Sequence, residues 1–269
     1  MNRLSGAALA AALLLAPRAL GAQITVTSGA VEEREARPGE SYTGTIRLRN
    51  VGTRPEEARV YRTDYGYDAE GRTRFGDPGT EPRSSAAWTT ATPARVVVPP
   101  GGEATVAYSV RVPDSVPLSG TYWSVVMVEG VPEAPDAAGR RGANRVEVGV
   151  RPVVRYAVQL ATHVGGTGTR QVEFARVRAL GAPGGTKRLE FDLVNSGELA
   201  CRPELRVELF DEAGAPAGTF TRARGLFYPG TTLRQAFDLG ALPAGSYQAL
   251  VVADAGGESV FGGQFTLRL

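Results

Sequence analysis

Short runs of alternating apolar and polar residues, each closed by Gly, Pro, Asn or Asp, recur along almost the whole chain. That pattern permits little except antiparallel β-structure. In Thr43-Gly44-Thr45-Ile46-Arg47-Leu48-Arg49-Asn50, Ile46 and Leu48 point one way and Arg47 and Arg49 the other. This is a sheet with one wet face, and Asn50-Val51-Gly52 ends it with turn chemistry. Val106, Tyr108, Val110 and Val112 form one face of another strand, with Ala107, Ser109 and Arg111 opposite. Tyr122 to Val128 is apolar on both faces, as a central buried strand is, with Trp123 as a core anchor. No stretch after the first 22 residues sustains a helical period.

The alternation predicts strands at Ile24–Glu33, Tyr42–Val51, Ala58–Tyr67, Ala94–Val98, Ala104–Val112, Gly120–Glu129 and Arg145–Ala161. A second series follows at Val172–Leu180, Lys187–Asn195, Glu204–Asp211, Thr232–Leu239, Ser246–Asp254 and Glu258–Leu267. The second series repeats the style of the first, and Asn195-Ser196-Gly197 mirrors Asn50-Val51-Gly52. Leu242-Pro243-Ala244-Gly245-Ser246-Tyr247 enters a late strand with a tyrosine near its start, the place of a tyrosine corner. The fold expected is all-β, two immunoglobulin-like β-sandwiches in tandem, spanning 23–150 and 151–269. The junction is set at Pro152, because proline cannot donate to a ladder. Thirty-four glycines and eighteen prolines supply the turns.

Met1-Asn2-Arg3, an apolar run from Leu4 to Leu15 and small residues at Ala19 to Ala22 form a secretory signal peptide, residues 1–22. The run is too short for a good membrane span, and no second long apolar segment exists. An exported protein of the periplasm or cell surface is expected, with no membrane span after cleavage.

Active sites need titratable groups that converge, and the sequence offers few. His163 is the only histidine and Cys201 the only cysteine. One of each is too few for a zinc site, and no Gly-x-Ser-x-Gly elbow occurs. Gly165–Gly168 lacks the Gly-Lys-Ser/Thr ending of a phosphate loop. Asp64, Asp68, Glu70 and Asp77 lie close together without the ligand ladder of a calcium loop. Nothing singles out a carboxylate pair. The net charge of +2 is carried almost wholly by dispersed arginines, with no basic block for nucleic acid. The expectation is a binding protein, not an enzyme, with no catalytic residues, metal or cofactor.

One segment stands out. Asp64 to Gly71, followed by Phe75 to Trp88, is rich in Tyr, Phe, Arg, Gly and Pro, and reads as a long insertion between strands. Tyr65, Tyr67, Phe75, Arg83 and Trp88 have two readings. They cap the end of a sandwich, or they form an aromatic loop for a partner such as a cell-wall glycan.

Residues 24–160 resemble the immunoglobulin-like first domain of periplasmic pilus-assembly chaperones. The carriers are Asn50-Val51-Gly52, Val60-Tyr61, Asp64-Tyr65, Val98-Pro99-Pro100-Gly101-Gly102, Pro113 and Gly120 to Glu129. The same pattern is similar to the peptidoglycan-binding domain of WxL-interacting surface proteins. The first resemblance implies that an exported polypeptide adds as a strand along the last strand of the first domain. Val146, Val148 and Val150 fit that edge. It also implies basic residues in the interdomain cleft for a partner carboxylate, for which Arg151 and Arg155 are the candidates. Pro152 interrupts the edge, and the single lysine, Lys187, lies in the second domain. The second resemblance implies peptidoglycan or another surface glycan.

Overall fold

A computed structural model describes residues 24–132, 153–181 and 185–269. The expected leader therefore lies outside the described residues. So do Val146, Val148, Val150 and Arg151.

Ten strands build the first sandwich: β1 (Ile24–Val26), β2 (Val31–Ala36), β3 (Ser41–Asn50), β4 (Glu56–Tyr67), β5 (Thr73–Gly76), β6 (Thr89–Thr92), β7 (Arg95–Val98), β8 (Glu103–Arg111), β9 (Thr121–Val131) and β10 (Arg155–Val164). One sheet has the order β1-β3-β8-β6, and the other runs β2-β10-β9-β4-β5 with β7 also on β4. Seven more strands make the second: β11 (Val172–Gly181), β12 (Lys187–Asn195), β13 (Glu204–Phe210), β14 (Pro216–Ala223), β15 (Thr232–Gly240), β16 (Ser246–Asp254) and β17 (Val260–Arg268). They form sheets β11-β12-β15 and β14-β13-β16-β17. The all-β tandem-sandwich expectation is met.

Each sandwich has its own core, built by the alternation that the sequence displays. Ile46, Leu48, Val106, Tyr108 and Val110 pack against Val60, Val126, Val128, Val158 and Leu160 in the first. Leu189, Phe191, Leu193, Val207, Leu209 and Val251 fill the second. The two Asn-x-Gly strand ends share one device. Asn50 donates to the Arg54 and Val98 carbonyls at 2.6 and 3.0 Å and accepts from Gly52 N–H at 2.8 Å. Asn195 donates to the Leu199 and Phe227 carbonyls at 3.1 and 2.9 Å and accepts from Gly197 N–H at 3.1 Å. Each buried amide thus ties a strand end to a neighbouring segment. The Tyr247 hydroxyl donates to the Pro243 carbonyl at 3.1 Å, closing the expected tyrosine corner.

Three expectations need correction. Ile24–Glu33 is not one strand: β1 pairs β3, whereas β2 crosses to the other sheet and pairs β10 in parallel. The break falls at Ser28-Gly29-Ala30. Strands β5, β6 and β14 were not expected. β5 and β6 have four residues each, and β14 opens on Pro216 and carries Gly218, both weak strand formers. The junction is not at Pro152, because β10 follows it and completes the first sandwich by pairing β9. The boundary lies between Val164 and Val172.

The junction itself is packed. The Trp123 and Tyr228 rings stack with centroids 4.4 Å apart. Trp123 Nε1 donates to the Tyr65 carbonyl at 2.7 Å, and the Tyr228 hydroxyl to Gln159 Oε1 at 2.7 Å. The Tyr67 hydroxyl meets Thr231 Oγ1 at 2.9 Å and accepts from Tyr228 N–H at 3.2 Å. Thr121 N–H donates to the Glu198 carbonyl at 2.8 Å. Gly120, at φ +76°, is required there, since a Cβ would sit 2.1 Å from that carbonyl oxygen. Trp123 is therefore an anchor, as expected, but between sandwiches and not inside one.

Candidate functional site: the half-open strand and the clefts beside it

The ten residues of β10 are unevenly shared. β9 pairs its whole length from Arg155 to His163, but β2 pairs only Gln159 to Val164. Gln159 N–H donates to the Ala30 carbonyl at 2.9 Å, on the β2 side. Backbone groups alternate sides along a strand, so Arg155 and Ala157 turn their N–H and C=O the same way, where β2 no longer reaches. Val154 faces β9, its carbonyl accepting from Gly130 N–H at 3.4 Å. Among the described residues a short open edge thus runs along Arg155–Val158, in line with an exposed Val153.

Arg155 lies at the end of β10 remote from the second sandwich, not in the interdomain cleft that the resemblance implied. Its guanidinium stands 3.2 Å from Glu129, which also takes Arg59 at 3.0 Å and the Tyr61 hydroxyl at 2.8 Å. Burial alone would raise the Glu129 carboxyl, but the Tyr61 and Arg59 bonds and the Arg155 charge hold it below its ordinary value. Among the described residues, Arg59 and Arg155 share this one carboxylate, which leaves one positive charge over beside the open edge.

The other end of β10 enters the interdomain cleft, a groove of about 450 Å³ lined by Glu33, Glu35, His163, Gly165–Gly168, Arg170, Cys201 and Arg202. Its basic members, Arg170 and Arg202, lie beyond the resemblance, and sequence reading missed them. Arg202 Nε donates to Glu33 at 3.1 Å, so one is already paired. Thr121 Oγ1 accepts from Ala200 N–H at 2.9 Å and sits 2.8 Å from His163 Nδ1. The histidine is thus part of the junction and not a free loop residue. Cys201 is buried, and burial pushes its thiol up to about 11 against the pull of Arg170. It should therefore resist thiol-specific reagents at pH 8 in the native protein and react promptly in denaturant. Labelling at equal rates in both states would show that the pocket opens readily.

The tyrosines and Phe75 of the aromatic segment lie on strands, while Arg83 sits in the irregular stretch that follows. Asp64–Tyr67 ends the twelve-residue β4 and pairs Thr73–Gly76 as a hairpin, turned at Asp68–Gly71. Tyr65 and Tyr67 pack toward Tyr228, and burial raises the Tyr67 hydroxyl to about 12. Trp88 lies 4.8 Å from the Tyr122 ring and packs on the first core. Arg83 donates to the Ser119 and Thr121 carbonyls at 2.8 and 3.3 Å. Phe75 alone of the five is exposed. A second groove of about 510 Å³ lies under the hairpin, lined by Tyr65, Tyr67, Arg74, Arg83, Trp123 and Thr231.

The acidic cluster serves the hairpin. Asp64 is buried and accepts from Gly79, Thr80 and Glu81 N–H at 3.0, 2.8 and 2.8 Å, and from the Ser84 hydroxyl. Asp68 holds Arg72 at 2.6 Å, and Glu70 holds Arg234 of the second sandwich at 2.8 Å. Among the described residues no group of three or more His, Cys, Asp or Glu could hold a metal ion. No helix among them is long and apolar enough to cross a membrane.

A two-lobed β-sandwich protein with a half-open last strand in its first lobe is the class that this geometry defines. Many solved structures similar to it are pilus-assembly chaperones. The class 5 fimbriae chaperone CfaA is 13% identical with a TM-score of 0.47, over 90% of this chain and 98% of that one. The CsuC–CsuE chaperone–tip adhesion subunit pre-assembly complex from archaic chaperone-usher Csu pili of Acinetobacter baumannii gives 13% and 0.46, over 91% and 97%. The Pseudomonas aeruginosa CupB2 chaperone gives 16% and 0.42, over 90% and 100%. No protein-family model and no curated protein sequence matches the chain.

Proposed function

We propose that this chain is a non-catalytic binding protein of the cell envelope that captures an extended polypeptide along the open edge of β10. The observation that carries this reading is that, among the described residues, Arg155–Val158 has a partner on one side only, in an otherwise fully paired strand. An unpaired edge in register with a sheet supplies main-chain hydrogen bonds to a guest strand, and alternate side chains supply selectivity. Arg155 lies beside the guest's lane, where its surplus charge favours an acidic neighbour. Val146, Val148 and Val150 extend the same alternation upstream in sequence. The leader at residues 1–22 puts the chain where exported polypeptides are met.

Ala157→Pro tests this reading. Its N–H points away from β9, so proline removes a donor from the open edge and none from the sheet. Binding to an array of peptides with alternating apolar residues should weaken roughly tenfold or more, the cost of at least one hydrogen bond and the lost fit around it. The melting curve should change little. Unaltered peptide binding by a folded Ala157→Pro protein would refute capture at this edge.

A further inference from the structure

Besides β10, one other strand keeps a long bare edge among the described residues. Edges elsewhere are blunted by the usual devices. β1, β5, β6 and β7 have three or four residues each. β2 carries Glu32, Glu33, Arg34 and Glu35. β11 is bulged at Arg176, and β14 opens on proline and shifts register. The edge of β15 is met by the first sandwich, where Arg234 N–H donates to the Ala69 carbonyl at 2.6 Å. β17 has nine residues, pairs β16 without a shift, holds no proline, and has no charge before Arg268.

Its outward groups follow from the hydrogen bonds at its end. Gly245 and Leu269 exchange both backbone bonds, at 3.2 and 3.0 Å, and Ala255 N–H donates to the Ser259 carbonyl at 2.9 Å. The odd-numbered residues of β17 therefore bond to β16, and Val260, Gly262, Gln264, Thr266 and Arg268 turn their N–H and C=O outward. β11 packs beside this strand, with the Phe174 and Phe265 rings 6.4 Å apart, but β17 hydrogen-bonds only to β16 among the described strands.

We infer that this edge pairs antiparallel with the same edge of a second copy of the chain, forming a two-fold dimer. The sequence of β17 is self-complementary about Gly263. In that register Gly263 faces its own twin, Phe261 faces Phe265, Gly262 faces Gln264 and Val260 faces Thr266. The even-numbered pairs are the ones whose outward groups exchange bonds. Two glycines at the axis fit a non-hydrogen-bonded position, where strands approach most closely. The Phe265 ring already occupies the space beside Gly263: a Cβ there would meet it at 2.7 Å. Charge decides the partner. Glu258, in the turn that leads into β17, and Arg268, at its far end, are exposed and make no ion pair with described residues. Antiparallel pairing brings Glu258 of each copy to the end carrying Arg268 of the other. The pairing is isologous and closes on itself, so it makes dimers and not fibres.

Sedimentation velocity on the exported chain over a range of concentrations tests this. The native chain should sediment as a dimer. Arg268→Glu and Glu258→Arg, each on an exposed side chain, should each sediment as a folded monomer, judged by circular dichroism. The double charge swap should restore the dimer. A native monomer at every concentration, a dimer indifferent to either single reversal, or a double swap that stays monomeric would each overturn it. Ala157→Pro should leave the dimer intact, so this inference stands or fails apart from peptide capture at β10.

Discussion

Tyr228→Ala should destabilise the protein by about 3–5 kcal/mol, the range for removing a fully buried aromatic ring, and should uncouple the two lobes. The ring lies under Trp123, its hydroxyl reaches Gln159 on β10, and its backbone meets the Tyr67 hydroxyl. It thereby joins β9, β10 and β4 to the second sandwich at one point. Burial raises the hydroxyl far above the ordinary tyrosine range, so the phenol stays protonated and donates at any working pH. Urea titration followed by tryptophan fluorescence is the measurement. A single transition in the native chain should split into two, with Trp123 reporting the junction. Tyr228→Phe keeps the stack and loses only the bond to Gln159, for about 1–2 kcal/mol. If the alanine variant costs no more than the phenylalanine one, the stack contributes little and the lobes are held by other contacts.

The second large effect should come from Asp64→Ala, at about 3 kcal/mol. Three backbone N–H groups and the Ser84 hydroxyl lose a charged acceptor, and bonds to charged groups are each worth about 1.5–3 kcal/mol. The segment Gly79–Ser84 and the hairpin of β4 and β5 should loosen together, which amide hydrogen exchange would register at Thr80 and Glu81. The same site predicts a pH dependence. Burial pushes the Asp64 carboxyl up, but the bonds from Ser84, Gly79, Glu81 and Thr80 outweigh it, and the group titrates below its ordinary 3.8. A depressed carboxyl contributes stability that is complete above the unfolded-state value and is lost as pH falls through the folded one. The gap between the native chain and Asp64→Asn should therefore be constant from neutral pH to about pH 5 and close below about pH 4. A gap that persists unchanged at pH 2 would mean that the ionised carboxylate is not what holds the segment.

The alternation that made Ile46, Leu48, Val106 and Val110 core residues was plain in the sequence because period two leaves a half-buried sheet no other choice. Asn50 and Asn195 were legible as a repeated strand end, though not as buried amides bridging two carbonyls. What escaped was long-range. Val31–Ala36 carries three glutamates and an arginine and reads as a polar run. Only the path of β10 shows that it is a parallel partner. Pro152 looked like a boundary because proline stops a ladder, yet a strand of the first sandwich begins just after it, at Arg155. For Tyr65 and Tyr67 the sequence left a capping and a binding reading open, because their cover, Tyr228, lies some 160 positions away in sequence. Arg155 was named for the cleft and stands at the opposite end of its strand. Arg202 lines the cleft but sits in the second lobe, outside the residues 24–160 that carry the resemblance.

Gln159 has a further consequence. It is two positions from Ala157 on one unbroken strand, and its amide oxygen is gripped by Tyr228 of the other lobe. The open stretch Arg155–Val158 is thus tied at its root to the junction between the two lobes. A guest strand captured there, as proposed, would run out from that junction, so its direction would follow the strand that Tyr228 holds.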